Sequence, residues 1–183
     1  MQLSNNSLRY GLVTKTFHWT MFALIVFLLL MGPLSYYFPR DSAEKFFVTW
    51  LHQSIGLTVF MLVILRFIWK FINPKPDYPI AMPNWQKRVS SVVHYLLYAA
   101  ILLQPIAGMI MVRSKGRDIN FFNIFSIPGF PEPNETLNEI ARFLHQEVFG
   151  KALLIFVIVH VLSALYNFFI VKDNILQKMG WGA

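Results

Sequence analysis

The stretch Leu144–Val171, LHQEVFGKALLIFVIVHVLSALYNFFIV, decides the fold class of this chain. Its residues 152–171 are mostly apolar and include no charged side chain. A helix that crosses the hydrocarbon core of a bilayer needs about 20 such residues, each rising about 1.5 Å. The stretch therefore predicts a transmembrane helix, and two histidines, His145 and His160, lie inside it.

Three further segments have the same length and character, namely residues 17–38, 47–72 and 90–112. Each is apolar on most faces and none alternates as a strand would, which is typical of helices in lipid. The predicted fold is therefore an all-α membrane protein, a four-transmembrane-helix bundle that forms one domain over residues 1–183. Aromatic residues near the segment ends resemble an interfacial belt. They are Trp19, Tyr36, Tyr37, Trp50, Trp69, Trp85 and Trp181.

Composition narrows the class of protein further. Hydrophobic residues make up 56% of the chain and charged residues only 14%, below the quarter that is usual in soluble domains. The chain has no cysteine, which excludes disulfides, iron–sulfur clusters, thiolate zinc sites and covalently attached haem. Its net charge of +7 comes from cations that flank apolar runs. This pattern favours membrane lipid over nucleic acid as a partner.

The distribution of Lys and Arg predicts the orientation. Cations concentrate before the first span, between the second and third spans, and after the fourth, so both termini are predicted to be cytoplasmic. The first apolar run is longer than that of a signal peptide, and we expect it to be retained. Arg113, Lys115 and Arg117 oppose the rule on the outer side, but they begin a connection of about thirty residues, and long connections follow the rule less strictly.

All five histidines lie in or at the edge of a span, where ionisable groups are costly and usually functional. They are His18, His52, His94, His145 and His160. Residue spacing places His52 and His145 near the outer face, and His18 and His94 near the inner ends. His160 follows His145 by fifteen residues, which puts it roughly 22 Å deeper, in the inner layer.

Two facing imidazoles in a bundle are the ligands that a six-coordinate b-type haem needs, and closing both axial positions favours electron transfer. Gly56 and Gly150 would let a porphyrin approach the backbone near the outer histidines. Arg66 is predicted either to pair with a haem propionate or to extend towards the inner surface. Two other interpretations of the histidines stay open, namely interhelical hydrogen bonds and metal transport, although Glu147 is the one acid near a histidine.

The chain resembles the bacterial di-haem cytochrome b561 family along nearly its whole length. The resemblance is carried by RYG at 9–11, FHW at 17–19, LHQSIG at 51–56, LRFIWK at 65–70, HYLLY at 94–98, Pro105, Gly108, His160 and KDN at 172–174. It implies a multi-pass protein of the bacterial inner membrane with two haem b groups. The outer haem would bind His52 and His145, and the inner haem His18 and His160.

The resemblance also implies an activity similar to that of superoxide oxidases. In that activity superoxide would give electrons to the outer haem, from which they would pass to the inner haem and to ubiquinone. Arg113, Lys115 and Arg117 are predicted to steer superoxide, with binding of lipid phosphate as the alternative. A second interpretation is a cytochrome b subunit that serves a partner dehydrogenase or hydrogenase.

Two features depart from the family pattern. The family separates the histidines of its fourth helix by fourteen residues, whereas His145 and His160 are fifteen apart, which leaves them about 60° apart on a regular helix. A π-bulge near residues 146–150 would restore a common face. Asn167 and Phe168 also stand where many relatives have a histidine pair. The predicted quinone contacts are His94, Lys87 and Asn167, and the alternative for His94 is a bond to a propionate or a neighbouring helix.

Overall fold

The computed structural model describes residues 2–79 and 82–180, and four long helical rods dominate it. Helix α1 covers Leu12–Leu34 and ends in a 3₁₀ turn, Ser35–Tyr37. Helices α2 and α3 cover Ala43–Ile72 and Asn84–Arg113. All four rods are long and apolar enough to cross a membrane, which confirms the prediction of four membrane-competent helices. Trp181, one of the predicted interfacial aromatics, lies outside the described residues.

The fourth rod is continuous but not uniform. It begins as α4, Glu135–Phe143, passes through a π-helical segment, Leu144–Phe149, and continues as α5, Gly150–Tyr166. A second π-helical segment, Asn167–Val171, ends it, and the short helix α6, Ile175–Met179, follows. The rod therefore changes its helical pitch twice, and the first change occurs at one of the five histidines.

The rods begin earlier than the sequence predicts. The predicted starts were residues 17, 47, 90 and 144, and the observed starts are Leu12, Ala43, Asn84 and Glu135. The reason is that apolar content marks only the part of a helix inside hydrocarbon. Polar caps extend α2 and α4 beyond it, since the side chain of Ser42 accepts from the Lys45 amide and Asn134 accepts from Leu137.

The long connection after α3 also has structure that the sequence reasoning did not predict. Strands β1, Ile119–Phe121, and β2, Phe125–Ile127, pair antiparallel as a hairpin. The hairpin packs against α2, where the Ser54 hydroxyl donates to the carbonyl of Asn120 at 3.1 Å. Together with α4, it covers the end of the bundle opposite the termini.

A small apolar core fills the middle of the bundle, between the levels of the histidines. Its buried members come from all four rods, and most side chains on the outward faces are apolar and exposed. The core residues are Met21, Ile25, Val59, Val63, Ala100 and Leu153. Apolar outward faces around a narrow core are expected where lipid is the surrounding solvent.

The two termini meet at one end of the bundle. The amide of Tyr10 donates to the Lys178 carbonyl at 3.4 Å, and the Lys15 ammonium donates to the Gly180 carbonyl at 2.6 Å. Burial of the Tyr10 side chain at this end raises its pKa to about 12. This end, with residues 2–11, 73–79 and 172–180, is termed the inner end, and the end with the hairpin is termed the outer end.

Candidate functional site

The first pair of imidazoles lies at the outer end, between α2 and the π-helical segment. The ring centroids of His52 and His145 are 6.2 Å apart, with 80° between the ring planes. His145 Nδ1 donates to the carbonyl of Gln104 at 2.9 Å, so its proton is on Nδ1 and Nε2 keeps its lone pair. His52 Nδ1 is buried and has no hydrogen-bond partner among the described residues.

This separation is the one that two imidazoles take when they bind one metal ion from opposite sides. Metal–imidazole bonds of about 2 Å place the two nitrogens about 4 Å apart, and each ring centre lies roughly 1 Å further out, which gives roughly 6 Å. The angle between the planes is free, because each ring can rotate about its own metal–nitrogen bond. His52 and His145 are therefore the residues that would hold a haem iron at this level of the bundle.

The space beside this pair is large enough for a flat macrocycle. A cavity of about 590 Å³ opens between the rods, within the range of cofactor pockets, and both imidazoles line it. Gly32, Gly56 and Gly108 also line it. A Cβ on Gly56 would meet nothing within 4 Å, so the cavity reaches the backbone there. The residues present thus fit a porphyrin, and the interpretation of Gly56 stays a prediction.

Gly108 has a different role from Gly56. A Cβ at this position would lie 2.9 Å from His145 Cε1, closer than side chains approach one another. Helix α3 therefore leaves a gap that the imidazole of His145 occupies. Together with the hydrogen bond to Gln104, this gap fixes the ring of His145 from one side of α3.

The π-helical segment is the predicted bulge, and it covers Leu144–Phe149. The amide of Gly150 donates to the carbonyl of His145, five residues back, which is the π-helical pattern. A Cβ on Gly150 would lie 2.8 Å from that same carbonyl oxygen, so glycine permits the close approach. The bulge absorbs one residue, and His145 and His160 both point into the bundle despite their fifteen-residue separation.

The second group of imidazoles lies nearer the inner end. His18 of α1 and His160 of α5 have ring centroids 6.0 Å apart, with 60° between their planes. His94 of α3 also contacts His160, with ring centroids 5.0 Å apart. The first distance fits the spacing of roughly 6 Å for two rings on one metal ion, and the second is about 1 Å too short for it. Geometry therefore favours His18 over His94 as the partner of His160.

Arg66 points into the bundle towards this second group. Its Nη2 donates to His18 Nδ1 at 3.1 Å, and its guanidinium stands 5.6 Å from the ring centre of Tyr98. A side chain that extended to the surface would make neither contact. The guanidinium is thus positioned to pair with an anionic group beside the inner imidazoles, as the propionate interpretation requires. As a donor to Nδ1 it places the ring proton of His18 on Nε2, so it must turn from His18 to that anionic group before Nε2 can bind a metal ion.

Comparison with known proteins identifies the family. A family model described as prokaryotic cytochrome b561 matches residues 9–182. The chain belongs to this family. Its members are membrane electron-transfer proteins that bind b-type haem, so this cytochrome is a multi-pass membrane protein of that kind.

Individual relatives match over nearly the whole chain. Cytochrome b561 homolog 1 of Escherichia coli K12 is 25% identical over 162 residues, 88% of this chain and 91% of the relative. Cytochrome b561 homolog 2 of the same organism is 25% identical over 185 aligned residues, 98% and 95% of the two chains. The Yersinia pestis protein named Probable superoxide oxidase CybB is 22% identical over 172 residues, 93% and 95% of the two chains.

The structure of this cytochrome separates the three predicted steering cations. Lys115 and Arg117 line the outer cavity. Arg113 instead donates from Nε to the carbonyl of Pro128 at 2.8 Å, and its guanidinium lies 4.7 Å from the ring centre of Phe130. Arg113 thus holds the connection in place, whereas the other two bring positive charge to the cavity.

Arg142 also lines the outer cavity, and the sequence reasoning missed it. It lies in the last turn of α4, a helix that the sequence reasoning did not predict because it considered only the charges of this connection. A signal for that helix was present. Asn134 is a favoured N-cap residue, and Leu137, Ile140 and Leu144 follow at helical spacing.

The predicted quinone contacts are not brought together with His94. Asn167 is buried, donates to the carbonyl of Ser163 at 2.9 Å and accepts from Gln86 Nε2 at 2.7 Å, so it joins the ends of the fourth rod and α3. Asn167 follows His160, and Lys87 precedes His94, by seven residues each, or roughly 10 Å along the helices. Within residues 2–79 and 82–180, no group of three or more His, Cys, Asp or Glu could hold a metal ion.

Proposed function

We propose that this cytochrome is a di-haem b protein of the bacterial inner membrane that oxidises superoxide outside and reduces ubiquinone inside. The observation that carries the proposal is the two imidazole pairs, at 6.2 Å and 6.0 Å, near opposite ends of one bundle. The relative named as a probable superoxide oxidase, which aligns over 93% of the chain, supports the choice of substrate. The proposal includes cytoplasmic termini, as the distribution of Lys and Arg predicts.

In this proposal each imidazole pair holds one haem b. His52 and His145 bind the outer iron, His18 and His160 bind the inner iron, and Arg66 pairs with an inner propionate. The bound groups supply one-electron transfer from one side of the membrane to the other. The reaction balances when two superoxide anions each lose one electron to become O₂, and one ubiquinone gains both electrons and two protons.

The charged residues around the outer cavity are evidence for an anionic substrate. Lys115, Arg117 and Arg142 line this cavity, and the two other charged residues of its lining, Lys151 and Glu147, form an ion pair with each other. Positive charge around a cavity raises the association rate of an anion by about ten- to a thousand-fold. Replacing all three by glutamine should lower the rate of reduction by superoxide and flatten its dependence on ionic strength. Arg113→Gln is the matched control, since Arg113 belongs to the same connection but contacts Pro128 and Phe130. Equal effects of the two variants would refute steering by the cavity cations.

At the inner end, His94 is the residue that we assign to ubiquinone. Its Nδ1 donates to the Ser90 carbonyl at 2.6 Å, so the ring is fixed and Nε2 is left as an acceptor for a quinol hydroxyl. The positions of Lys87 and Asn167, two turns nearer the inner end, assign them to the rim of the site rather than to the reacting oxygens. His94→Gln should slow quinone reduction while both haems remain bound.

Haem content tests the ligand assignment directly. Each of the four proposed ligands, replaced by alanine, should lower the content from two haems per chain to about one. His94→Ala is the matched control, because it removes an imidazole from the inner layer and should leave both haems in place. Colourless wild-type protein, or loss of haem from His94→Ala but not from His18→Ala, would refute the assignment.

A second measurement separates the two functions that share this ligand set. The purified chain alone should turn over superoxide and ubiquinone, with two superoxide consumed for each ubiquinol formed. A protein with two haems and no such turnover would instead be an electron-transfer subunit for a partner dehydrogenase or hydrogenase.

A further inference from the structure

The turn of the outer hairpin has an unusual composition for a loop. Residues 121–125 read FFNIF, and the turn closes where the amide of Ile124 donates to the Phe121 carbonyl at 2.8 Å. Phe122 and Asn123 both have positive φ, 47° and 59°. Turns with positive φ at both central residues favour Asn-Gly or Asp-Gly, and a bulky residue with positive φ is uncommon. The sequence therefore keeps a phenylalanine where the backbone disfavours it.

Apart from Asn123, the side chains around this turn are apolar, and three of them are exposed. Ile124 is 74% exposed, Phe125 is 46% exposed and Phe122 is 37% exposed. The opposite end of the hairpin differs, because Ile119 is buried and lines the outer cavity. The hairpin therefore has one end in the wall of the outer cavity and, at its other end, an apolar tip that faces away from the described residues.

Contacts with α2 give the depth of the tip. The amide of Phe122 donates to Ser54 Oγ at 3.2 Å, and the Phe122 ring packs edge-on against Trp50 at 5.9 Å. Trp50 lies nineteen residues before Trp69, or roughly 28 Å along α2, close to the thickness of a hydrocarbon core of about 30 Å. Tryptophan is typical of both membrane interfaces, so the tip lies at the outer interface.

The apolar surface of the tip is also continuous with that of the span. Phe47 contacts Trp50, with ring centroids 5.8 Å apart, and Phe47 is itself exposed. From Phe47 through Trp50 to Phe122 the aromatic rings form one belt on the outer part of α2. A surface that continues a lipid-facing helix at the level of its interfacial tryptophan most plainly fits lipid.

We infer that the hairpin tip, residues 121–125, inserts into the outer leaflet at the boundary between headgroups and acyl chains. The tip would then anchor the connection after α3 to the membrane. Because Ile119 of the same hairpin lines the outer cavity, the anchor also fixes the position of the cavity wall next to His52. This inference is independent of the proposed ligands and substrates.

The absence of cysteine makes a direct depth measurement practical. A nitroxide is attached to Ile124→Cys in the purified full chain, in vesicles of phosphatidylethanolamine and phosphatidylglycerol. Collision of the label with O₂, which concentrates in lipid, is compared with collision with a water-soluble nickel chelate. A second label at Phe125→Cys repeats the measurement. Labels at Ile155→Cys, exposed on the middle of α5, and at Glu132→Cys, exposed in the same connection, give the lipid and water references.

We expect the label at residue 124 to collide several-fold more with O₂ than with the nickel chelate, on the side of the lipid reference. A label that behaves like the one at residue 132 would place the tip in water and overturn the inference. A label shielded from both reagents would mean that a protein, either a partner or a second copy, covers the tip, which would also overturn it.

Discussion

Deleting Gln146 removes one residue from the π-helical segment and tests what the bulge is for. At about 100° per residue, His145 and His160 would be 60° apart on a regular helix with the present fifteen-residue separation, and 40° short of a full turn with fourteen. The bulge already absorbs one residue, so the deletion should convert Leu144–Phe149 to α-helix without turning either imidazole away. We expect the shortened chain to keep two low-spin haems.

Inserting one alanine after Ile155 is the matched control. The insertion lies in regular α5 between the two histidines and adds about 100° of rotation. The bulge already takes up one extra residue, so it does not compensate for a second one. At a Cα radius of about 2.3 Å this rotation moves the backbone of one histidine by roughly 3.5 Å, far beyond the tolerance of about 0.2 Å for a metal–ligand distance. One haem should be lost.

The assay is haem per chain together with the low-spin b-type spectrum of each variant, with helical content measured by circular dichroism to confirm folding. The expected asymmetry is that the chain tolerates one residue fewer and does not tolerate one residue more. Loss of a haem from the deletion variant, with two haems kept by the insertion variant, would refute the argument that the bulge corrects the register.

Three further changes test other parts of the structure. Gly108→Ala should weaken outer haem binding by about 5- to 150-fold, because the new Cβ would lie 2.9 Å from His145 Cε1 and such overpacking costs about 1–3 kcal/mol. Gly32→Ala, 3.7 Å from the nearest imidazole carbon, is its control, and haem titration is the measurement. Arg66→Gln should lower the midpoint potential of the inner haem by on the order of 100 mV, since a nearby cation stabilises the reduced form. A redox titration would show this against an unchanged outer haem, and Arg66→Lys should restore the value. Burial raises the pKa of Tyr10 from 10.0 to about 12, so between these two pH values Tyr10 keeps its proton in the folded chain and loses it in the unfolded chain. The contribution of Tyr10 to the free energy of unfolding should be fully present below pH 10 and should be lost between pH 10 and 12. The difference in tyrosinate absorbance between wild type and Tyr10→Phe would measure the titration of this residue.

The parts of the fold that sequence could predict are those that the bilayer itself dictates. Hydrocarbon thickness sets the length of an apolar segment such as 152–171, and the cost of an ionisable group in lipid makes His52 and His160 stand out. The bulge near His145 could be predicted because the family resemblance implies fourteen residues between the two histidines, and one extra residue adds a fixed rotation to a helix. The site could therefore be predicted as far as depth and rotation determine it.

The outer hairpin could not be predicted for the opposite reason. Its turn, Phe122-Asn123, lacks the glycine that signals such a hairpin, and its strands of three residues are too short to show alternation. The hairpin forms because α2 supplies its partners, as Ser54 binds both the Asn120 carbonyl and the Phe122 amide. Contacts of this kind are tertiary, and no local pattern reports them.

The apolar core between the two imidazole levels bears on how electrons and protons are separated. Under the proposed function, an electron would cross it between the two imidazole pairs, whereas a proton would need a chain of polar groups, and the buried members of this core are aliphatic side chains and methionine. Polar groups are available at the inner end instead, where Lys75 donates to the Tyr78 hydroxyl at 2.5 Å and that hydroxyl contacts Ser91 at 3.2 Å. Although burial raises the pKa of Tyr78, the hydrogen bonds from Lys75 and the serines outweigh it and lower this pKa. A phenol that releases its proton more easily, on the side of the bundle where His94 lies, suits proton uptake for a quinone from that side. Under the proposed function, the protein would therefore move negative charge across the membrane with each electron, because the protons need not follow.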